Sequence, residues 1–203
     1  NVLGMRSGYT CCLANMHQGW TKFASHLWYG TPDGGVAALL YSPNQLKTKL
    51  GAAKTEVIIN EETAYPFDNR VLFNISTKKP VEFDFSLRVP AWCEEAVISL
   101  NGAVLRREKG GQVIAITRTW QHGDKLELQL PMAVAVSEWG RNSRAIERGP
   151  LVYALKLGEQ WQKGYDEKEG SYYSVFPEAP WNYGIEEAVV KEPATNTTVN
   201  IIK

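Results

Sequence analysis

Two adjacent cysteines, Cys11 and Cys12, mark the stretch of this chain whose residue types could do chemistry: Tyr9-Thr-Cys-Cys-Leu-Ala-Asn-Met-His-Gln-Gly-Trp20. The thiolate is the reactive and metal-binding form of cysteine. The sequence predicts a helix starting at or just after the pair, and the unpaired N–H groups and partial positive charge of a helix start favour a thiolate. Neighbouring cysteines are poorly placed to bridge one another. With Cys93 the count is three, so one thiol is left unpaired in a monomer and a disulfide scaffold is excluded. Two readings stay open on these residues: metal ligands or a nucleophile, and two quiet structural thiols. Two sulfurs alone do not make a zinc site, which takes four ligands or three plus substrate, and no Cys-x-x-Cys partner follows.

His17 falls within the apolar stripe of the same helix, between Leu13 and Trp20. It is either a satisfied core histidine or a group aimed into a cleft, where it would contact substrate. His26 and His122 read as surface or turn residues. The adjacent carboxylates Glu61-Glu62, Glu94-Glu95 and Glu186-Glu187 read as solvated charges, and Glu147-Arg148 as an ion pair bracing a turn. Trp92, Trp120, Trp139, Trp161 and Trp181 could stack on sugar rings, or seal the ends of a core.

The elements that position these residues are mostly strands. Leu13, Met16, Trp20, Phe23 and Leu27 recur at helical spacing and predict one amphipathic helix with a buried face. Asn15 and Gln18 resemble a capping box, and Tyr29-Gly-Thr-Pro-Asp-Gly-Gly35 ends the helix. Nothing else in the chain supplies a helix to cover that face, so a helical domain is expected before Asn1. Short apolar or alternating runs follow, at 36–41, 55–60, 70–76, 81–89, 96–100, 113–118, 126–130, 132–137 and 151–157. The clearest alternates Val81, Phe83, Phe85, Leu87 and Val89 against Glu82, Asp84, Ser86 and Arg88, the period of a sheet with one wet face. Asn101-Gly102 is a strong hairpin signal. Many short strands broken by Gly, Pro and Asn predict a mainly β chain, an antiparallel β-sandwich of jelly-roll type. The expected organisation is a helical piece at 1–33, a sandwich at 34–157 and a loop-rich extension at 158–203.

Lys plus Arg and Asp plus Glu balance at 22 each in 203 residues, which argues against a nucleic-acid partner. No run has the roughly 18 apolar residues of a membrane span.

Several stretches in order resemble one family. They are Cys11-Cys12 with Asn15, Leu87-Arg-Val-Pro-Ala-Trp92, Val97 to Gly102, Trp120-x-x-Gly-Asp124, Arg148-Gly-Pro-Leu-Val-Tyr153 and Pro180-Trp-Asn-Tyr183. Together they are similar to the C-terminal half of bacterial β-L-arabinofuranosidase-type glycoside hydrolases. The resemblance implies an (α/α)6 barrel before the β-domains, with the helix here as its last piece. It implies a retaining mechanism in which Cys11 is nucleophile and zinc ligand and Cys12 a second zinc ligand. A further glutamate and cysteine ligand and the acid/base glutamate would lie upstream. The chain departs from the family in carrying Leu13-Ala14, not prolines, after the cysteine pair. On this reading the partners are a glycan substrate and the helical barrel, the setting is periplasmic or secreted, and these residues alone are inactive. The alternative is a non-catalytic sandwich module, accessory or carbohydrate-binding, with structural cysteines.

Overall fold

The computed structural model describes residues 2–4, 10–168 and 170–200. In chain order the elements are β1 (Val2–Gly4), α1 (Thr10–Met16), α2 (Gln18–Ser25), β2 (Trp28–Gly30), β3 (Val36–Ala38), β4 (Asn44–Leu50), β5 (Thr55–Thr63) and β6 (Arg70–Thr77). Then come β7 (Val81–Val89), β8 (Glu95–Leu100), β9 (Ala103–Lys109), β10 (Gln112–Trp120), β11 (Lys125–Gln129), β12 (Val134–Trp139), β13 (Ser143–Arg148) and β14 (Leu151–Val152). The chain finishes with β15 (Glu159–Asp166), β16 (Gly170–Pro177), α3 (Glu187–Lys191) and α4 (Pro193–Asn196).

Two sheets form the sandwich. One has six strands in the order β4-β5-β6-β11-β8-β9, and the other four in the order β10-β7-β3-β2. All these pairings are antiparallel except β3 with β7, which is parallel. The alternation along β7 does what its period requires. Val81, Phe83, Phe85, Leu87 and Val89 point inward and meet Val57, Ile59, Val71, Phe73, Ile75, Ile98, Leu126 and Leu128 of the facing sheet. Phe73 and Phe85 touch edge to face across the core at 5.1 Å. Trp120 is fully buried; it stacks on Phe83 and donates its indole N–H to the Phe83 carbonyl.

Asn101 and Gly102 turn β8 into β9 with φ of 51° and 87°, the left-handed pair a two-residue hairpin needs. The Asn101 side chain closes the turn onto Asp124 and the Lys125 N–H. Two further sheets lie beyond the sandwich strands: β12-β13-β14, and β1-β16-β15, which pairs the first described strand with a late hairpin.

The helical segment differs from expectation. It is two short helices, with the hydrogen-bond pattern lapsing at His17 although that residue keeps α-helical backbone angles. Asn15, His17 and Gly19 are all weak helix formers. Three residues of the stripe are not buried here: Met16 is 64% exposed, Trp20 75% and Phe23 37%. Leu27, just past α2, is buried against the sandwich.

Candidate functional site

Cys11 and Cys12 sit in the first turn of α1, both exposed, with their sulfurs 3.8 Å apart and no disulfide. Two sulfurs bound about 2.3 Å from one zinc at the tetrahedral angle are separated by about 3.8 Å. The spacing therefore fits two corners of a zinc-thiolate set. Among the described residues no group of three or more His, Cys, Asp or Glu converges to complete one. Cys93 cannot help: it is buried in the sandwich core, where burial pushes its thiol up.

One helix face carries Cys11, Asn15 and Gln18, at the i, i+4, i+7 spacing of neighbours. The Gln18 amide donates to Asn15 Oδ1 at 3.1 Å, so the two side chains of the expected capping box bond each other across the break. His17 lies between the helices, exposed, and makes no capping hydrogen bond. It is not a core histidine.

The segment is seated on the sandwich just after α2. Leu39 N–H bonds the Leu27 carbonyl. The Trp28 ring packs against Phe73 and Phe85 at 5.8 and 5.7 Å, and its indole N–H donates to Asn44 Oδ1 at 2.8 Å. Behind Asn44 stands Glu61, only 2% exposed. Glu61 accepts from Asn44 Nδ2 at 2.7 Å and from the Ser42 N–H at 3.0 Å. Burial pushes its carboxyl up to about 7, against the lowering effect of those two bonds.

Glu61 corrects the reading of Glu61-Glu62 as solvated charges. The signal lies in the strand: Thr55, Val57, Ile59 and Glu61 are the inward residues of β5, so extending the alternation by one step puts a carboxylate inside. Glu62, of opposite parity, accepts from Asn74 on the outer face. The other pairs are surface features: Glu95 holds Arg107 at 2.8 Å and Glu187 holds Lys191. Glu147 accepts from Ser137 at 2.7 Å. A second carboxylate pair, Asp33 with Asp84, lines an open cleft of about 590 Å³. There a hydrogen bond from Thr31, then contact with Asp84, holds the Asp33 carboxyl below its ordinary value.

Of the tryptophans, Trp120 is in the core and Trp92 packs against that core. Trp139, Trp161 and Trp181 are exposed.

Residues 35–132 match the family model described as the middle domain of GH127 β-L-arabinofuranosidase. Among solved structures, the chain is similar to one described as a glycoside hydrolase, with TM-score 0.66 and 26% identity, covering 82% of this chain and 31% of that one. It is also similar to a GH127 β-L-arabinofuranosidase from Geobacillus stearothermophilus T6, with TM-score 0.63 and 25% identity, covering 87% of this chain and 32% of that one. A GH127 β-arabinofuranosidase with TM-score 0.62 and 18% identity shares the fold, over 83% of this chain and 35% of that one. The chain thus spans about a third of the length of these solved relatives. No curated protein matches it in sequence.

Proposed function

We infer, from the premise that this chain is a portion of a GH127-type glycoside hydrolase with its middle domain at residues 35–132, that the intact enzyme releases arabinofuranosyl or related sugars from glycans with Cys11 as nucleophile. The observation that carries this is the exposed thiol pair at the start of α1, spaced as zinc ligands are. An uncovered apolar stripe on the same helices supports docking against further helices, the expected barrel.

In this reading the Cys11 thiolate attacks the anomeric carbon, and the bond to the leaving oxygen breaks as an acid/base glutamate outside these residues protonates it. Water, deprotonated by the same glutamate, then displaces the sulfur and releases the sugar with retained configuration. Cys11 and Cys12 would hold a zinc ion, which when bound keeps a coordinating thiol ionised at neutral pH. Asn15 and Gln18, on the Cys11 face, and His17 beside it would contact sugar hydroxyls. The sandwich braces the segment.

The test is Cys11→Ser in the full-length enzyme, assayed on an aryl arabinofuranoside with metal content measured in parallel. Turnover is expected to fall to background. Undiminished turnover would refute the nucleophile and leave the sandwich as an accessory module with structural cysteines.

A further inference from the structure

The buried carboxylate at the joint is not used by that chemistry, yet its surroundings are fully committed. Asn44 is the centre of the arrangement. Its amide oxygen accepts the Trp28 indole N–H at 2.8 Å, and its nitrogen donates to both the Ser42 carbonyl and Glu61 Oε2, each at 2.7 Å. Both N–H bonds of the amide are in use, and so is its oxygen, so the amide has one orientation only while Glu61 is an acceptor. We propose that Trp28, Asn44 and Glu61 form a proton-sensitive relay that sets how the segment bearing Cys11 and Cys12 is seated on the sandwich.

The switch follows from donor counting. An ionised carboxylate only accepts; a protonated one must also donate. A proton on Glu61 Oε2 confronts the Asn44 N–H, and a proton on Oε1 confronts the Ser42 N–H. The first conflict is relieved if the Asn44 amide turns over, so that its oxygen accepts from Glu61. That places the amide nitrogen against the Trp28 indole, donor against donor. The indole then loses its acceptor, the Ser42 carbonyl loses its donor, and the seat of the segment loosens while the sandwich core stays intact. An unpaired buried donor is costly, so the effect concentrates at Trp28, just beyond the α2 C-cap at His26.

The other groups around Glu61 do not reproduce this behaviour. Tyr41, from the β3–β4 connection, donates its hydroxyl to the Arg88 carbonyl at 2.6 Å, and burial keeps the phenol protonated well beyond neutrality. Tyr65, after β5, is also raised by burial. Arg88 of β7 donates to the Leu39 carbonyl at 2.6 Å. Phe73, opposite Glu61 on β6, has no proton to exchange. Glu61 itself is held near 7 by burial, which puts the switch in the neutral range. On the helical side His26 lies at the joint, with Nδ1 2.6 Å from the Lys22 carbonyl and its ring 5.8 Å from Tyr29, and it is the titratable group a control must separate. The consequence for catalysis rests on the proposed role of Cys11; the relay itself does not.

The relay is read directly by the Trp28 indole N–H resonance of the ¹⁵N-labelled 203-residue chain, assigned by its loss in Trp28→Phe. Across the neutral range, on acidification, it is expected to move upfield with one midpoint near 7. Glu61→Gln and Asn44→Ala should each abolish the movement, and His26→Gln should leave it in place. A resonance that does not move in the parent chain overturns the relay. So does an equal movement in Asn44→Ala or Glu61→Gln, or a response lost in His26→Gln. Asn44→Ala keeps the test decisive if Glu61→Gln does not fold, because it cuts the relay while leaving the carboxylate in place. The readout is a hydrogen bond and not sugar release, so a flat titration leaves the cysteine reading standing, and full turnover in Cys11→Ser leaves the relay standing.

Discussion

Glu61 should make the fold less stable as pH rises through neutrality, the reverse of the usual carboxylate. Its folded value is about 7 against an ordinary 4.5. The folded chain therefore holds a proton that the unfolded chain releases, and between those values stability falls with rising pH. A tenfold difference in proton affinity between the two states corresponds to about 1.36 kcal/mol. Carried from about pH 5 to about pH 8, the two titration curves give a loss of about 2.5 kcal/mol, with a limit of about 3.4 kcal/mol over the full range. For a chain of this size that is roughly 5–10 °C in Tm. The comparison is with Glu61→Gln, which keeps the shape and removes the titration. Glu127 and Asp33 do not interfere, because Arg70 and Thr31 respectively hold them below the ordinary carboxylate range. They give up stability only at more acidic pH. Urea denaturation of both proteins, repeated across that pH range, tests the idea. The gap between them should change by that amount in favour of the variant as pH rises. Parallel pH profiles, or a parent chain that gains on the variant, would refute the dominance of burial over the two accepted hydrogen bonds.

Three substitutions test the packing. Phe73 is fully buried and contacts Trp28, Tyr41 and Phe85 by its ring; Phe73→Ala should cost about 3–5 kcal/mol in urea denaturation. A Cβ at Gly110 would collide with the backbone carbonyl oxygens of Cys93 and Pro90, so Gly110→Ala should cost about 1–3 kcal/mol in the same assay. At Gly19 a Cβ meets nothing within 4 Å, and Gly19→Ala should instead raise helix content by circular dichroism, worth about 0.5–1 kcal/mol to α2.

The sandwich is legible in the sequence where one face of a strand is dry. The Val81–Val89 alternation and the Asn101-Gly102 turn both take the expected form, because burial and left-handed backbone each leave a residue-type signature. β9 escapes for the opposite reason: nearly all of it is exposed, and an edge strand carrying Arg106, Arg107 and Lys109 has no buried face to mark its period. β4 is hidden by Pro43-Asn44, which reads as a turn, and by the lysines that alternate with its half-buried positions. The β15–β16 hairpin reads as loose because its Trp and Tyr residues are largely exposed on both strands. At the site, residue type locates the thiol pair, and periodicity implies that the stripe needs a cover. Glu61 escapes because chemistry alone assigns a carboxylate to solvent, whereas its parity in the strand governs where it points.

The pairing of β1 with β16 carries a consequence for the order of events in folding. Val2 through Gly4 align with Tyr172 through Ser174, so β1 finds its partner only after every strand of both main sheets has left the ribosome. Contacts of such long sequence separation form late. The thiol-bearing helices lie between that strand and Trp28. They are held from the Trp28 side as soon as β2 to β7 have assembled, and from the β1 side only once the β15–β16 hairpin closes. During that interval, of the described strands, only those on the Trp28 side hold the helices, and both cysteines are still exposed when the hairpin has closed.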